Sequence, residues 1–329
     1  MNRAKTVEMF SSLGCKLSEG IPREVVETAV EENPWFSTDD IDYAVGALCQ
    51  EMLRPDKLSA WLARYPLLPA AKPSRVAVVM AGNIPLVGFY DLLCTVCAGH
   101  TALVKPSSKD RVLVDYIIGL LVTKRIEYLT NDDCPDAALV TGGSDAVRHF
   151  AAKWPDRPLL LRAHRSSVAV LDGSESDDEL LLLADDCFRY NGLGCRNVSL
   201  LLIPRTMNAV RLATVLGRYP HFGRRFTEAC RPQRALLTMQ GGEFIDGGSF
   251  VLTENSAFSE CINRLNIMRY DSLNEVNLYL ARHDRELQCV VGTAVEHPRR
   301  VGFGSAQKPT LLDPPDGLDP MEFLARLTK

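Results

Sequence analysis

The stretch RVAVVMAGNIPLVGFYDLLCTVCAGHTALVK, residues 75–105, decides how the chain is read. It opens on an unbroken apolar run, RVAVVMA, passes through the apolar helical pattern LVGFYDLLCTVCAG and closes on a second short run, TALVK. Strand, helix and strand in that order make the repeating unit of a parallel sheet. Strands covered on both faces lose the polar alternation of a half-exposed sheet. The pattern then continues through helix KDRVLVDYIIGLLVTKR, strand AALVTG, helix SDAVRHFAAK and strand PLLLRA. The expected fold class is α/β, with a doubly wound parallel sheet.

Working outward, the first 70 residues carry only helix signals. Pro22 opens PREVVETAVEE, Ser37 or Thr38 with Asp39 and Asp40 caps IDYAVGALCQEML, and RPDKLSAWLARY adds a short helix. LLPAAKPS, with two prolines, is the expected linker. Beyond Arg205 a second α/β unit is expected. RLATVLGRY and SLNEVNLYLAR read as helices, GSFVLTE, NRLNIMRY, QCVVG and RRVGFG as strands, and RPQRALLTMQG as running toward a strand or turn. The tail KPTLLDPPDGLDPMEFLARLTK closes in a short helix. The expected domains are a helical preface over 1–70, a cofactor domain over 71–165, a catalytic domain over 166–300 and a tail over 301–329.

The chain has 329 residues, 46% of them hydrophobic and 24% charged, which is core enough for two domains. A formal net charge of -4 provides no field to gather nucleic acid, so no nucleic-acid partner is expected. No apolar run approaches the roughly 20 residues of a membrane span. The ten cysteines are scattered and no signal peptide precedes them, so a cytoplasmic protein with reduced thiols is expected. Cys94 and Cys97 form a CxxC inside an apolar helix with no second pair, which suits core thiols better than a metal site. No metal is expected.

Parallel sheets bind ligands beyond the carboxyl ends of their strands, and three such ends here carry unusual residues. AGNIP places Asn83 after the first strand, where its amide can donate to a developing oxyanion or simply form a turn. KPSSKD places Lys105 at the end of the second, either exposed to solvent or meeting a phosphate. TGGSD puts Gly142, Gly143 and Ser144 where a strand meets a helix, able to cradle a phosphate or merely to cap the helix. There is no GxGxxG and no P-loop.

A fourth feature is YNGLGCRNVS, residues 190–199, where a leucine-rich helical pattern ends in two glycines and delivers Cys195 ahead of an apolar strand. Gly192 and Gly194 permit backbone conformations closed to other residues, and Arg196 places a cation beside the thiol that favours the nucleophilic thiolate. The plain structural account is a helix C-cap with a half-buried cysteine.

Taken in order, these segments resemble the aldehyde dehydrogenase superfamily, in particular its acyl-CoA reductase branch related to the bioluminescence fatty-acid reductase subunit. AGNIPLVGFYDLLCTVCAGHTALVKPSS is similar to the family's Asn-x-Pro turn, apolar helix and Lys-Pro-Ser strand end. TGGSDAVRHF resembles its phosphate-binding turn, and RYNGLGCRNVSLLLIPR its nucleophile segment. The resemblance covers Arg75 to Arg205 well, the C-terminal third loosely and the first 70 residues hardly at all. It implies an aldehyde-dehydrogenase-like fold and a cysteine acyl-enzyme. It further implies roles for Cys195, Asn83 and His164 in catalysis, and for Lys105, Ser107, Ser108, Gly142, Gly143 and Ser144 in holding the cofactor.

The departures sharpen that reading. Members that oxidise aldehydes to free acids carry a glutamate base in a Glu-Leu-Gly-Gly-like turn, and the matching stretch LLRAHRSSVAVL has none. An acyl-enzyme without that base exchanges with a thiol such as coenzyme A rather than with water. His164 becomes the candidate proton carrier, although a histidine between two arginines is often structural. Gly143 stands where the family has a serine. Ser108, followed by Lys109, stands where NAD-preferring members hold a glutamate against the ribose, so NADPH is the expected cofactor. The expected activity is reduction of an acyl-CoA or acyl-carrier thioester to the aldehyde, with a homo-oligomer as a possible assembly. An acyl-phosphate reductase and a non-catalytic nucleotide-binding thiol sensor are the alternatives.

Overall fold

The computed structural model describes residues 2–66, 68–70 and 72–327. Leu67 and Ala71 of the expected linker lie outside the described residues, as do Thr328 and Lys329 of the tail. The chain divides into two compact units, one of Met1–His164 with Lys308–Lys329 and one of Arg165–Gln307.

The first unit opens on helices α1 (Arg3–Ser18), α2 (Arg23–Glu32), α3 (Thr38–Glu51) and α4 (Pro55–Ala63). Ser37 caps α3 as its sequence implies, its hydroxyl accepting from the Asp40 N–H at 3.1 Å. Helix α1 was not legible as a separate element, because it has no proline at its start and no acid in its first turn. Its cap is Asn2, which accepts from the Lys5 N–H at 3.0 Å.

The sheet follows: β1 (Arg75–Val79), α5 (Phe89–Cys97), β2 (Thr101–Lys105), α6 (Arg111–Leu120), β3 (Ile126–Tyr128), β4 (Ala137–Thr141), α7 (Ser144–Lys153) and β5 (Leu159–Arg162). The strand order is β3-β2-β1-β4-β5, parallel throughout. The side-chain period of two divides β1 between the two faces. Val76 and Val78 pack with α5 and α6, while Ala77 and Val79 pack with Phe150 and Trp154 at the α7 side. Both faces are therefore covered, as the unbroken apolar runs require. Two details differ from expectation. The helix expected through Arg125 stops at Leu120, and the next segment forms the edge strand β3, whose side chains are half-buried or exposed.

The second unit contains β6 (Ser166–Val170), α8 (Asp177–Phe188), β7 (Val198–Pro204), α9 (Ala209–Leu216), α10 (Arg224–Met239), β8 (Ile245–Asp246), β9 (Val251–Glu254), β10 (Arg264–Tyr270), α11 (Leu273–His283), β11 (Leu287–Val291) and β12 (Arg300–Val301). Its sheet runs β12-β11-β6-β7-β10-β9-β8, parallel except for the antiparallel pair β8 and β9. RPQRALLTMQG, expected to run toward a strand or turn, is instead the second half of α10, with Pro232 inside the helix. Proline ordinarily breaks a helix interior, which is why the segment misleads.

The last helix, α12 (Pro320–Arg326), returns to the first unit. Leu311, Met321 and Leu324 join its core, and the Tyr90 hydroxyl donates to the Leu311 carbonyl at 3.1 Å. His100 accepts the Ser74 N–H at Nδ1, 3.0 Å away, so its Nε2–H is the donor to the Leu324 carbonyl at 3.1 Å. Cys94 and Cys97 are fully buried in α5, and burial pushes both thiols up, away from the reactive thiolate. No described helix is long and apolar enough to cross a membrane.

Gly292, just past β11, sets a stability test. Its φ is +124°, and a Cβ there would stand 2.3 Å from the Val170 carbonyl oxygen of the neighbouring strand. Gly292→Ala combines a strained conformation with a backbone collision and should cost about 3 kcal/mol or more. Thermal denaturation checks it; an unchanged midpoint would mean that β6 and β11 can separate there without loss.

Candidate active site

In the first unit, the three strand-end turns meet along one edge of the sheet, because β2 and β4 flank β1. The Met80 N–H donates to the Lys105 carbonyl at 3.0 Å, extending the β1–β2 pairing into the turns. Gly82 lies against Ser107 so closely that a Cβ on it would fall 2.5 Å from the Ser107 Cβ. Only glycine permits that approach. Asn83 follows in a bend, and Leu86, three residues on, holds the left-handed φ of +58°. Such a conformation costs a non-glycine residue of order 1 kcal/mol and persists where its surroundings fix it. Here the Leu86 N–H donates to the buried Asp110 carboxyl at 2.8 Å. Burial raises the Asp110 carboxyl well above the usual range, against the pull of that N–H.

Lys105 and Ser108 are exposed and Ser107 half-buried. The Ser107 hydroxyl accepts from the Lys109 N–H at 3.3 Å, and its carbonyl from the Asp110 N–H at 3.2 Å, which closes the turn. Asp110, not Ser108, is the N-cap residue of α6. The side chain of Ser108 is thus not needed to start the helix. At the third strand end Gly143 is the N-cap of α7, with no side-chain cap bond, and Gly143 and Ser144 are both exposed. The first-turn amides of α7 are left to other acceptors.

Of the stretch LLRAHR, Leu160 and Arg162 are buried. The Arg162 Nη1 donates to both Asp91 carboxylate oxygens at 2.7 and 2.8 Å and to the Thr141 hydroxyl at 3.3 Å. His164 is exposed at the end of the first unit. Arg165 begins the second, with its Nη1 donating to the Leu287 carbonyl at 3.2 Å.

Cys195 belongs to the second unit. Helix α8 starts with a capping box between Ser176 and Glu179 and stops at Phe188, seven residues before Cys195. The glycines are therefore not its C-cap. Tyr190, Asn191 and Gly192 hold successive left-handed φ values of 57°, 56° and 67°. Gly194 does not, so only one of the two glycines carries the conformation expected of both. Cys195 then occupies the second position of a turn closed by the Asn197 N–H on the Gly194 carbonyl at 3.0 Å. The thiol residue is half-buried.

The support beneath that turn came from residues that sequence reading passed over. The Asn197 side chain accepts the Gly194 N–H at 2.7 Å and donates to the carbonyls of Asp186, Cys187 and Arg189 at 2.9–3.2 Å. Every branch of its amide is used, which ties the end of α8 to the turn. Ser167 on β6 donates to the Cys195 carbonyl at 2.9 Å, and its hydroxyl lies 3.1 Å from Cys289 Sγ on β11. Arg196 directs its Nε–H to the Ala306 carbonyl at 2.9 Å. An asparagine two residues after the cysteine was the one local signal; Ser167 and Ala306 lie too far along the chain to be read.

No protein-family model matches the sequence, and no curated protein matches it either. Solved structures do. Aldehyde dehydrogenase 21 from Physcomitrella patens, in complex with the reaction product succinate, superposes with a TM-score of 0.71 at 12% identity, over 100% of this chain and 85% of that one. An acetylating aldehyde dehydrogenase from Geobacillus thermoglucosidasius gives 0.62 at 11% identity, over 94% and 86%. A propionaldehyde dehydrogenase from the fucose-utilisation microcompartment of Clostridium phytofermentans gives 0.59 at 12%, over 88% and 78%. Identities this low speak for backbone architecture only: the chain has the aldehyde dehydrogenase fold.

Proposed function

We propose that the protein is a cytoplasmic, NADPH-dependent reductase that converts an acyl-CoA or acyl-carrier thioester to the aldehyde through a Cys195 acyl-enzyme. The observation that carries the reading is the presentation of Cys195. Three left-handed residues and a side-chain-braced turn hold its backbone, whereas Cys94, Cys97, Cys187 and Cys289 are packed in the core. Strain of this kind collects where a fold must present a reacting group. Aldehyde dehydrogenases described as acetylating share the fold.

In this reading the Cys195 thiolate attacks the thioester carbonyl carbon, a C–S bond to the enzyme forms, and the carrier leaves as its thiolate. The Asn83 amide and the Cys195 N–H donate to the oxyanion. The nicotinamide, when bound, would supply the hydride that takes the acyl group to the aldehyde level, and cleavage of the C–S bond then frees the aldehyde and returns Cys195 as its thiolate. His164, exposed to solvent, is the proposed proton carrier. With no carboxylate in Arg162–Ala163–His164–Arg165, water is not activated against the acyl-enzyme. The three strand-end turns suit a dinucleotide. Gly143 leaves open space beside the backbone of the third turn, the start of α7 has no side-chain cap, and Lys105 is an exposed cation. Gly142, Gly143 and Ser144 are assigned to its phosphates, and Lys105, Ser107 and Ser108 to its adenosine ribose.

The deciding assay is a panel of acyl thioesters and acyl phosphates with NADPH and NADH. Thioester-dependent NADPH oxidation is the expected result. Preference for acyl phosphates would move the protein to the other reductase chemistry, and no turnover with any substrate would leave a thiol sensor. Cofactor choice has its own test. Ser108→Glu places a carboxylate against the 2′-phosphate and should shift the NADPH/NADH ratio of kcat/KM toward NADH by about tenfold, from a partly screened repulsion of order 1 kcal/mol. Because Ser108 lies two residues before the N-cap position of α6, this substitution should leave the helix intact. An unchanged ratio would remove Ser108 from the ribose.

A further inference from the structure

Asp186 lies in the last turn of α8 beside Asp185. The structure buries it completely. Its two oxygens divide their bonds: Oδ2 accepts the Gly304 N–H at 2.7 Å and Oδ1 the Ala306 N–H at 2.8 Å. Its main-chain carbonyl accepts from the amides of Asn197 at 3.2 Å and Gln307 at 3.1 Å. One residue thus grips both the Cys195 turn and the loop over residues 302–307. That loop returns to the turn, because the Ala306 carbonyl holds the Arg196 guanidinium. Asp186, Ala306 and Arg196 form a chain of hydrogen bonds that ends on the residue after Cys195.

We infer that Asp186 is a positioning residue for the thiol: by clamping Ala306 it holds in place the side chain of Arg196, the residue after Cys195, and so sets the fraction of thiolate. The inference rests on the reading of Cys195 as the nucleophile. A bond from Nε to a fixed carbonyl restricts a side chain that would otherwise sample many rotamers. A neighbouring cation lowers a thiol's pKa only while it stays close.

The clamp is also sensitive to pH. Burial pushes the Asp186 carboxyl up to about 7, the two loop N–H groups and Arg196 pull it down, and Asp185 pushes it up. The other titratable neighbour is Cys187, a buried thiol itself raised by burial and by the two aspartates. Ionised, Asp186 can accept both loop N–H groups. Protonated, one oxygen carries a hydrogen and becomes the poorer acceptor, so one of the two bonds is weakened. The clamp is therefore complete above about pH 7 and loosened below it.

The experiment is alkylation of the full-length protein by iodoacetamide between pH 5.5 and 9, with modification of the Cys195 peptide followed by mass spectrometry. Asp186→Asn should slow Cys195 alkylation at pH 7 by about tenfold, equivalent to one unit of thiol pKa, and should abolish an inflection near pH 7 seen in the wild type. Arg196→Lys keeps the charge but lacks the planar Nε donor, and it should slow alkylation similarly. The double variant should be no more than about twofold slower than either single variant, because both act through one chain of bonds. Wild-type rates in either single variant would overturn the positioning role. Arg196→Lys keeps the test open should Asp186→Asn fail to fold, because Arg196 is only half-buried. The two readings fail separately: if Cys195→Ala retains turnover the nucleophile assignment is lost, whereas an inactive Cys195→Ala with unaltered alkylation in the other variants removes only the role of Asp186.

Discussion

Cys195→Ala should lower thioester-dependent NADPH oxidation by at least about 10⁴-fold while leaving cofactor affinity within a few-fold of wild type, since a covalent route that loses its nucleophile keeps only its binding contribution. The fold should survive. Cys195 is half-buried in a turn whose bonds run through backbone groups and the Asn197 side chain, and none of those described bonds passes through a methyl-sized change at Cβ. Cys94, Cys97 and Cys187 serve as comparisons, because each is buried and burial raises its thiol far from reactivity. Alanine at those positions should cost stability through lost packing, with turnover per folded molecule preserved. Acyl-enzyme trapped on Cys195 after mixing with thioester in the absence of NADPH would be direct support. Turnover in Cys195→Ala above about one-hundredth of wild type would end the covalent scheme.

The parts of the molecule that could be read in the sequence share a physical cause. Strands buried on both faces need continuous apolar side chains, so β1, β2, β4 and β7 stand out, and with them the α/β class. Strand β3, three residues long with a polar centre at the edge of its sheet, offers no such signal. Helix α10 hides behind Pro232 and a run of arginines, since its apolar contacts are few and widely spaced. In both cases tertiary packing, not local preference, decides the state.

Site residues follow the same rule. Asn83, Lys105, Gly142 and Gly143 are visible because each closes an apolar run, and the topology brings their turns to one sheet edge. Cys195 is visible because glycines surround it, although the strain falls on Tyr190 and Asn191 rather than on Gly194. Asp186 was not visible. Nothing in LADDCF says which aspartate faces inward, and its partners Gly304 and Ala306 lie more than a hundred residues away. Asp185 takes the outward role, receiving Arg189 at 3.0 Å and the Tyr219 hydroxyl at 2.9 Å. Periodicity assigns a face to a helix but does not reveal which loop a carboxylate will meet.

Asn83→Ala tests the other half of the proposed chemistry, with an expected fall in kcat of about 100-fold or more, the usual effect of deleting one oxyanion donor. The thioester KM should change little, because the donor acts on charge that exists only in the transition state. The geometry makes the experiment interpretable. Two contacts on either side hold the backbone of this turn without the Asn83 side chain: Gly82 against Ser107, and the Leu86 N–H on Asp110. An unchanged melting temperature checks that truncation has removed an amide and left the turn in place. Asn83→Asp goes further, putting a carboxylate where a donor is needed, and should be slower than Asn83→Ala despite its closer size. If instead both variants keep kcat and weaken only NADPH binding, Asn83 serves the dinucleotide, and the oxyanion must rely on the Cys195 N–H and donors other than this turn.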